Sequence, residues 1–281
     1  MTEFEPISFK LKTISNWNTV ANKYHNNWAD SEGGPFAASE KLINISNIQH
    51  SDIILDIGCG TGALTKKISK KIGINGKLIG IDISRKALSI AKSEIKYCNV
   101  EFIEMDAENI YFATKFSKVL SQFVVMFFTD PIKSLNSIRE LMAKDGILVL
   151  AVHGSPENVP YFSCIMKNII KFIPDLIPIG SPSVYSLGYS YKLRDTLTKA
   201  GFSNIQIKKY QFSYSPGTFE QYWQDYMECT ATANSIKETI KKDNEILSKI
   251  KSESEKDVFP FIRNNKITFP WEVLIASAYN Y

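Results

Sequence analysis

The chain has 281 residues, 44% hydrophobic and 22% charged, with a formal net charge of +4. That is enough chain for one α/β domain with insertions, and too little charge for the basic field of a dedicated nucleic-acid binder. Only four of the 33 basic residues are arginine (Arg85, Arg139, Arg194, Arg263), the residue that two-pronged phosphate recognition favours. Cys59, Cys98, Cys164 and Cys229 lie far apart with no C-x-x-C pair. Neither a disulfide framework nor a metal site is expected, and a cytoplasmic, reducing compartment is the default. The start, "MTEFEPISFK", has no basic segment followed by an apolar one, so a signal peptide is not expected. No apolar run reaches the ~18–20 residues that a membrane span needs.

In chain order, 16–31 reads as a helix with Val20, Tyr24 and Trp28 on one face. Strand-length apolar runs follow at 52–57, 77–82, 100–105, 117–122 and 146–152, with helix-length segments at 62–72, 84–97 and 131–143 between them. Ser84 is a reasonable N-cap for the second of these helices, and Pro131 sits at the first position of the third. Such alternation predicts βαβ units with right-handed crossovers. After 153 the pattern changes. Residues 154–190 read as an insertion with a short helix at about 160–173, 191–200 as a helix ended by Gly201, 202–214 as a strand, 217–256 as helical throughout, and 267–279 as the last strand. The final two strands are expected to form an antiparallel edge.

In an open parallel sheet, ligands bind beyond the carboxyl ends of the strands. Three successive strand ends here carry acids: Asp56, followed by Gly58, Gly60 and Gly62; Asp82; and Asp106. Glycines let a turn take positive φ and let a ligand approach the main chain. A carboxylate at the second strand end can accept from both ribose hydroxyls, as in dinucleotide sites. One at the third can accept from an exocyclic amine. Taken singly, Asp82 also suits a helix start and Asp106 a turn. "GCGTGA" (58–63) is compatible with a nicotinamide dinucleotide motif, but that reading leaves Asp56 unexplained. A ligand with a cationic end would explain it, and S-adenosylmethionine is one.

"LDIGCGTGAL" (55–64), "IGIDIS" (79–84) and "EMDAENI" (104–110) resemble the motifs of class I S-adenosylmethionine-dependent methyltransferases. The stretch 121–152 is similar to the ubiquinone- and menaquinone-biosynthesis-type branch, except that "AKDG" puts Asp145 where a glycine is usual. Residues 193–207 and 267–280 resemble that branch's terminal strands. The resemblance implies a Rossmann-like, doubly wound, seven-stranded sheet, mostly parallel with an antiparallel C-terminal strand. Helices would lie on both faces, and helical insertions would form a cap. One methyltransferase domain would span 1–281, with 1–50 a helical cover, 51–153 the cofactor-binding core, 154–190 and 213–260 substrate-side insertions, and 191–212 and 261–281 the C-terminal strands.

It also implies roles. Gly58, Gly60 and Gly62 would line the methionine part of S-adenosylmethionine, with Cys59 a small loop residue of no reactive role. Asp56 would orient the loop and favour the ammonium. Asp82 would hold the ribose hydroxyls and Ile83 pack on the adenine. Asp106 and the Ala107 N–H would read the adenine, and Gln122 and Phe123 would lie beneath the sulfonium. Tyr24 and Trp28 would cover the site. His153, at the fifth strand end, is the candidate base if the acceptor must lose a proton, with His25 a weaker second. The reaction implied is in-line transfer of a methyl group to O, N or C of a small, partly apolar or aromatic molecule, leaving S-adenosylhomocysteine. The acceptor pocket is expected among the aromatics of 16–36, 154–190 and 212–232. The alternatives are a silent cofactor-binding protein and a quinone-precursor C-methyltransferase. No nucleic-acid partner is expected, and either a monomer or a homodimer is compatible.

Overall fold

A computed structural model describes residues 3–29, 34–240 and 243–281. Residues 30–33 of the predicted cover and 241–242 of the predicted helical insert lie outside the described residues.

The chain opens with α1 (Pro6–Tyr24), ten residues earlier than periodicity predicts. Pro6 occupies the first helical position and the Glu5 carboxylate accepts from the Ile7 and Ser8 amides, so the start is capped and φ is preset. One π-helical turn, His25–Ala29, follows directly. A 3₁₀ turn (Gly34–Ala38) and α2 (Ser39–Ser46) lead to β1 (Ile53–Ile57). The predicted alternation then holds: α3 (Ala63–Ser69), β2 (Lys77–Asp82), α4 (Arg85–Glu94), β3 (Val100–Glu104), β4 (Phe116–Gln122), α5 (Pro131–Glu140) and β5 (Met142–His153). Ser84 caps α4 by accepting from the Ala87 N–H, and Asp130 caps α5 ahead of Pro131.

Beyond β5 come α6 (Pro160–Phe172), α7 (Ser190–Lys199), β6 (Ser203–Gly217), α8 (Phe219–Cys229), α9 (Ala231–Thr239), α10 (Asn244–Val258), the two-residue β7 (Ile262–Arg263) and β8 (Lys266–Asn280). The stretch predicted as one helical run is therefore three helices. Thr230 ends α8 and caps α9, because its extended backbone breaks the helix while its hydroxyl accepts from the Ala233 N–H.

The sheet order is β3-β2-β1-β4-β5-β8-β6, with β7 paired to β8. β1 to β5 are parallel, and β8 runs antiparallel between β5 and β6. This is the mostly parallel, Rossmann-like sheet that the motifs imply, but with eight strands among the described residues instead of seven, because the two-residue β7 folds back on the start of β8. Chain order reverses between β1 and β4, which puts the switch point at the carboxyl ends of β1 and β4. Central strands buried on both faces explain the near-continuous apolar runs.

Candidate active site

β1 ends at Ile57 and the glycine loop turns away at once. Gly58, Gly60 and Gly62 have φ of 63°, 56° and 93°. They serve different ends. A Cβ on Gly62 would lie 2.8 Å from Ile95 Cδ1 of the segment after α4, so this glycine permits close helix packing and lines no cavity. A Cβ on Gly60 would meet no atom of the described residues within 4 Å, and Gly60 lines a cavity. The space beside its main chain is open for a ligand.

That cavity, of about 150 Å³, runs along the carboxyl ends of β1, β2, β3 and β4. Gly58, Gly60, Asp82, Ile83, Asp106, Ala107, Gln122 and Phe123 all line it, as does Tyr24. A small annex of about 30 Å³ lies beside the glycine loop. Asp56, Cys59, Thr61, Gln122 and Tyr24 border it.

The carboxylates differ. Asp56 is buried at the end of β1 and accepts from Thr65 Oγ1 at 2.5 Å. Burial pushes its pKa up to about 7, with the Thr65 hydrogen bond working the other way and Asp82's charge adding to the rise. Asp82 accepts from the Gly60 N–H and the Ser84 N–H, both at 2.8 Å, and so pins the loop to the start of α4. Burial raises its pKa; those amides offset part of the rise. Asp106 accepts from Lys10 Nζ at 2.8 Å and from Asn109 Nδ2 at 2.7 Å. Half-burial alone would raise its pKa, but Lys10 and the local donors outweigh that and hold it low.

Gln122 Oε1 accepts from Ser39 Oγ at 2.9 Å, while Nε2 is buried with no partner among the described residues. A buried amide nitrogen without an acceptor carries a desolvation cost of ~1–3 kcal/mol. It borders both cavity and annex, where a bound carboxylate, hydroxyl or water would satisfy it. Phe123 takes φ of 62°, unusual for a bulky side chain, and its ring stacks on His153 with centroids 4.1 Å apart.

Besides Gly62, three placements differ from the sequence reading. His153 lines neither space. Its ring packs among Phe123, Phe162 and Trp271, and its Nδ1 accepts from Trp271 Nε1 at 3.3 Å. Burial lowers its pKa to about 3. As a neutral ring closed off by aromatics it has no route to a substrate proton, and the base role is dropped. His25 sits on the π turn with Nδ1 3.0 Å from Thr61 Oγ1. It ties the cover to the glycine loop and borders neither space. Trp28 stands behind Tyr24, ring centroids 5.5 Å apart, and donates from Nε1 to Asp225 at 2.9 Å; it braces the cover from behind rather than facing the cavity. The structure also adds residues that the sequence reading missed. Phe9, Lys10 and Thr13 of α1, with Phe127 and Thr129 after β4, join the lining, as does Trp17, which the sequence had placed in the acceptor pocket.

The methyltransferase-domain family matches residues 48–172. A ubiquinone/menaquinone biosynthesis C-methyltransferase of Wigglesworthia glossinidia brevipalpis is 32% identical over 184 residues, 59% of this chain and 72% of that protein. The chain belongs to the class I S-adenosylmethionine-dependent methyltransferases of the ubiquinone/menaquinone type. A demethylmenaquinone methyltransferase of Staphylococcus saprophyticus is 24% identical over 220 residues, 74% of this chain and 89% of that one. The fold of this methyltransferase is shared with the N-methyltransferase NodS of Bradyrhizobium japonicum, solved with S-adenosylhomocysteine. The TM-score is 0.56 at 14% identity, covering 96% of this chain and 98% of NodS. S-adenosylmethionine is the methyltransferase's cofactor. The open space at Gly60 and the unpartnered Gln122 amide both fit a ligand with a polar amino-acid end beside the glycine loop.

Proposed function

We propose that this cavity and its annex hold S-adenosylmethionine, and that the enzyme transfers its methyl group to a small, partly apolar or aromatic acceptor. The observation that carries the reading is Asp82, which is half-buried, anchors the Gly60 amide and faces the cavity between the glycine loop and Asp106. Asp82 would accept from the ribose hydroxyls, Asp106 and the Ala107 N–H would read the adenine, and Ile83 would pack on its face. Gln122 Nε2 would donate to the amino-acid end, beside Asp56. Bound there, the cofactor supplies an electrophilic methyl group on a sulfonium.

The chain's part is to position and to exclude water. Tyr24, Trp17 and Phe127 close the cavity with aromatic surface, and orientation alone can lower such a barrier by up to ~7–11 kcal/mol. Tyr24's own phenol is held neutral, its pKa raised by burial and then by the Asp82 charge, so it positions rather than takes a proton. With His153 sealed away, the acceptor would arrive already nucleophilic or shed its proton to water. The names of the two relatives favour a second reading, methylation at carbon of a quinone precursor.

Calorimetric titration with S-adenosylmethionine, S-adenosylhomocysteine and NAD decides the site. The expected outcome is micromolar binding of both adenosyl ligands, about −8 kcal/mol, lost in Asp82→Ala. Tight NAD binding, or adenosyl binding indifferent to Asp82, would sink the assignment.

A further inference from the structure

His25 opens the π turn that follows α1, directly after Tyr24, which lines both the cavity and the annex. Such turns recur at functional sites because the extra residue re-aims the side chains around it. The His25 ring is half-buried, and its Nδ1 lies 3.0 Å from Thr61 Oγ1. Thr61 belongs to the glycine loop, in the tight turn that the Gly62 N–H closes on Cys59 O. It is buried against the rest of the chain, yet it lines the cavity and the annex alike.

The cover does not need this bond to stay in place. Asn16 Nδ2 of α1 donates to Ser235 Oγ of α9 at 2.9 Å. Asn18 Oδ1 accepts from Ser84 Oγ and from the Lys86 N–H at the start of α4, both at 3.0 Å. Lys23 pairs with Glu228 of α8 at 3.1 Å. In the π turn itself, Trp28 Nε1 donates to Asp225 at 2.9 Å. Tyr161, which the sequence assigned to an acceptor pocket, is instead fully buried and donates to the same carboxylate at 2.7 Å. With α1 and the π turn held by these contacts, the distinctive effect of the His25 bond falls on its other end, at Thr61.

A threonine hydroxyl offers one donor and two acceptor positions. The bond to His25 fills one of them and restrains the side chain. The remaining capacity stays beside the annex, which Asp56 also borders. An amino-acid group placed there brings an ammonium and a carboxylate, and a hydroxyl can accept from the first or donate to the second. His25 borders neither space, so it can act on such a group only through Thr61.

We propose that His25 is a positioning residue for the amino-acid end of the cofactor. Its Nδ1 fixes the Thr61 hydroxyl beside the annex, and the ring itself touches no ligand. This rests on S-adenosylmethionine occupying the cavity and annex with its amino-acid end at the glycine loop.

The test is calorimetric titration of the full chain with two ligands. S-adenosylhomocysteine carries the amino-acid end, and 5′-methylthioadenosine has the same adenosine and sulfur without it. His25→Leu is expected to weaken S-adenosylhomocysteine about fivefold, the scale of one lost hydrogen bond, and to leave methylthioadenosine within about twofold. His25→Asn places an amide group as many bonds from Cβ as Nδ1 is, and should restore most of the loss; His25→Gln, one bond longer, should not. In a Thr61→Val background, His25→Leu should cost nothing further, as for two groups that act as a pair. Equal weakening of both ligands would mean that the tie merely holds the cover, and would overturn the proposal. So would an unchanged affinity for S-adenosylhomocysteine, or losses that add in the double variant. Should His25→Leu fail to fold, the Asn and Gln variants decide, and equal affinities for S-adenosylhomocysteine in those two overturn it. A wild-type chain that binds neither ligand would overturn the placement of the cofactor and this proposal with it, whereas wild-type binding with unselective variants overturns this proposal alone.

Discussion

Asp56 and His153 are both buried titratable groups, and their pH signatures run in opposite directions. The folded pKa of Asp56 is raised, so the stability it contributes is present below its ordinary value of 3.8 and is lost as pH rises through about 7. His153 is lowered to about 3; its contribution is complete above its ordinary 6.5 and is lost as pH falls toward 3. His153→Phe should therefore flatten the acid limb of stability between about pH 6.5 and 3, as read by urea denaturation at stepped pH. Asp56 also sits beside the annex, where a cationic ligand end gains from its negative form. Affinity for S-adenosylhomocysteine is expected to weaken as pH falls from 8 to 6, and Asp56→Asn should remove that slope; an unchanged slope would separate Asp56 from the ligand. The placement of such residues was legible in sequence where the geometry is local, as at Asp56, Gly60 and Asp82, which sit at strand ends set by short-range pattern. His153 was misread because position at a strand end says nothing about what covers it, and Phe162 and Trp271 arrive from far along the chain.

Among the elements, α1 shows where periodicity misleads. Ile7, Phe9 and Leu11 alternate, a strand pattern, yet the segment is helical with Ile7 and Leu11 exposed and Phe9 in the cavity wall. Here the start signal, Glu5 with Pro6, outweighs the apolar pattern. The π turn after α1 is held by one carboxylate. Asp225 of α8 accepts from Asn27 Nδ2, Trp28 Nε1, Tyr161 OH and Tyr214 OH at 3.4, 2.9, 2.7 and 3.4 Å. Asp225→Asn replaces two acceptors with one and adds a competing donor. It should cost about 2–3 kcal/mol in urea unfolding and loosen Tyr24 over the cavity. In the irregular first part of β5, Asp145 takes φ of 61°, a conformation that favours glycine. Left-handed backbone costs an ordinary residue ~1–2 kcal/mol and glycine's unfolded-state freedom costs ~0.5–1. Asp145→Gly is accordingly expected to stabilise by about 0.5 kcal/mol, with a loss instead showing that the Asp145 side chain contributes there.

At the scale of the whole molecule, the site is roofed by parts of the chain that lie far apart. Asn16 Nδ2 donates to Ser235 Oγ inside the core, and Lys23 pairs with Glu228. The parallel half of the sheet could be read from the sequence because each βαβ unit is local. The roof could not, since it depends on which of many apolar surfaces meet across more than 200 residues. Ligand binding should register across this arrangement. S-adenosylhomocysteine at a hundred times its Kd adds about 2.7 kcal/mol of stability, a rise in Tm of roughly 5–10 °C for a chain of this size. Slowed hydrogen exchange is expected in α1 as well as at the strand ends. The contact between Lys10 and Asp106 gives this a kinetic side. Were Asp106 the adenine's acceptor, as proposed, an incoming adenine would find it already held by an ammonium, and entry would be an exchange of partners and not the filling of a vacancy. Association would then be limited by how often α1 lifts. Added salt, which weakens most encounters between charged molecules, would here quicken arrival by loosening the ion pair that guards the door.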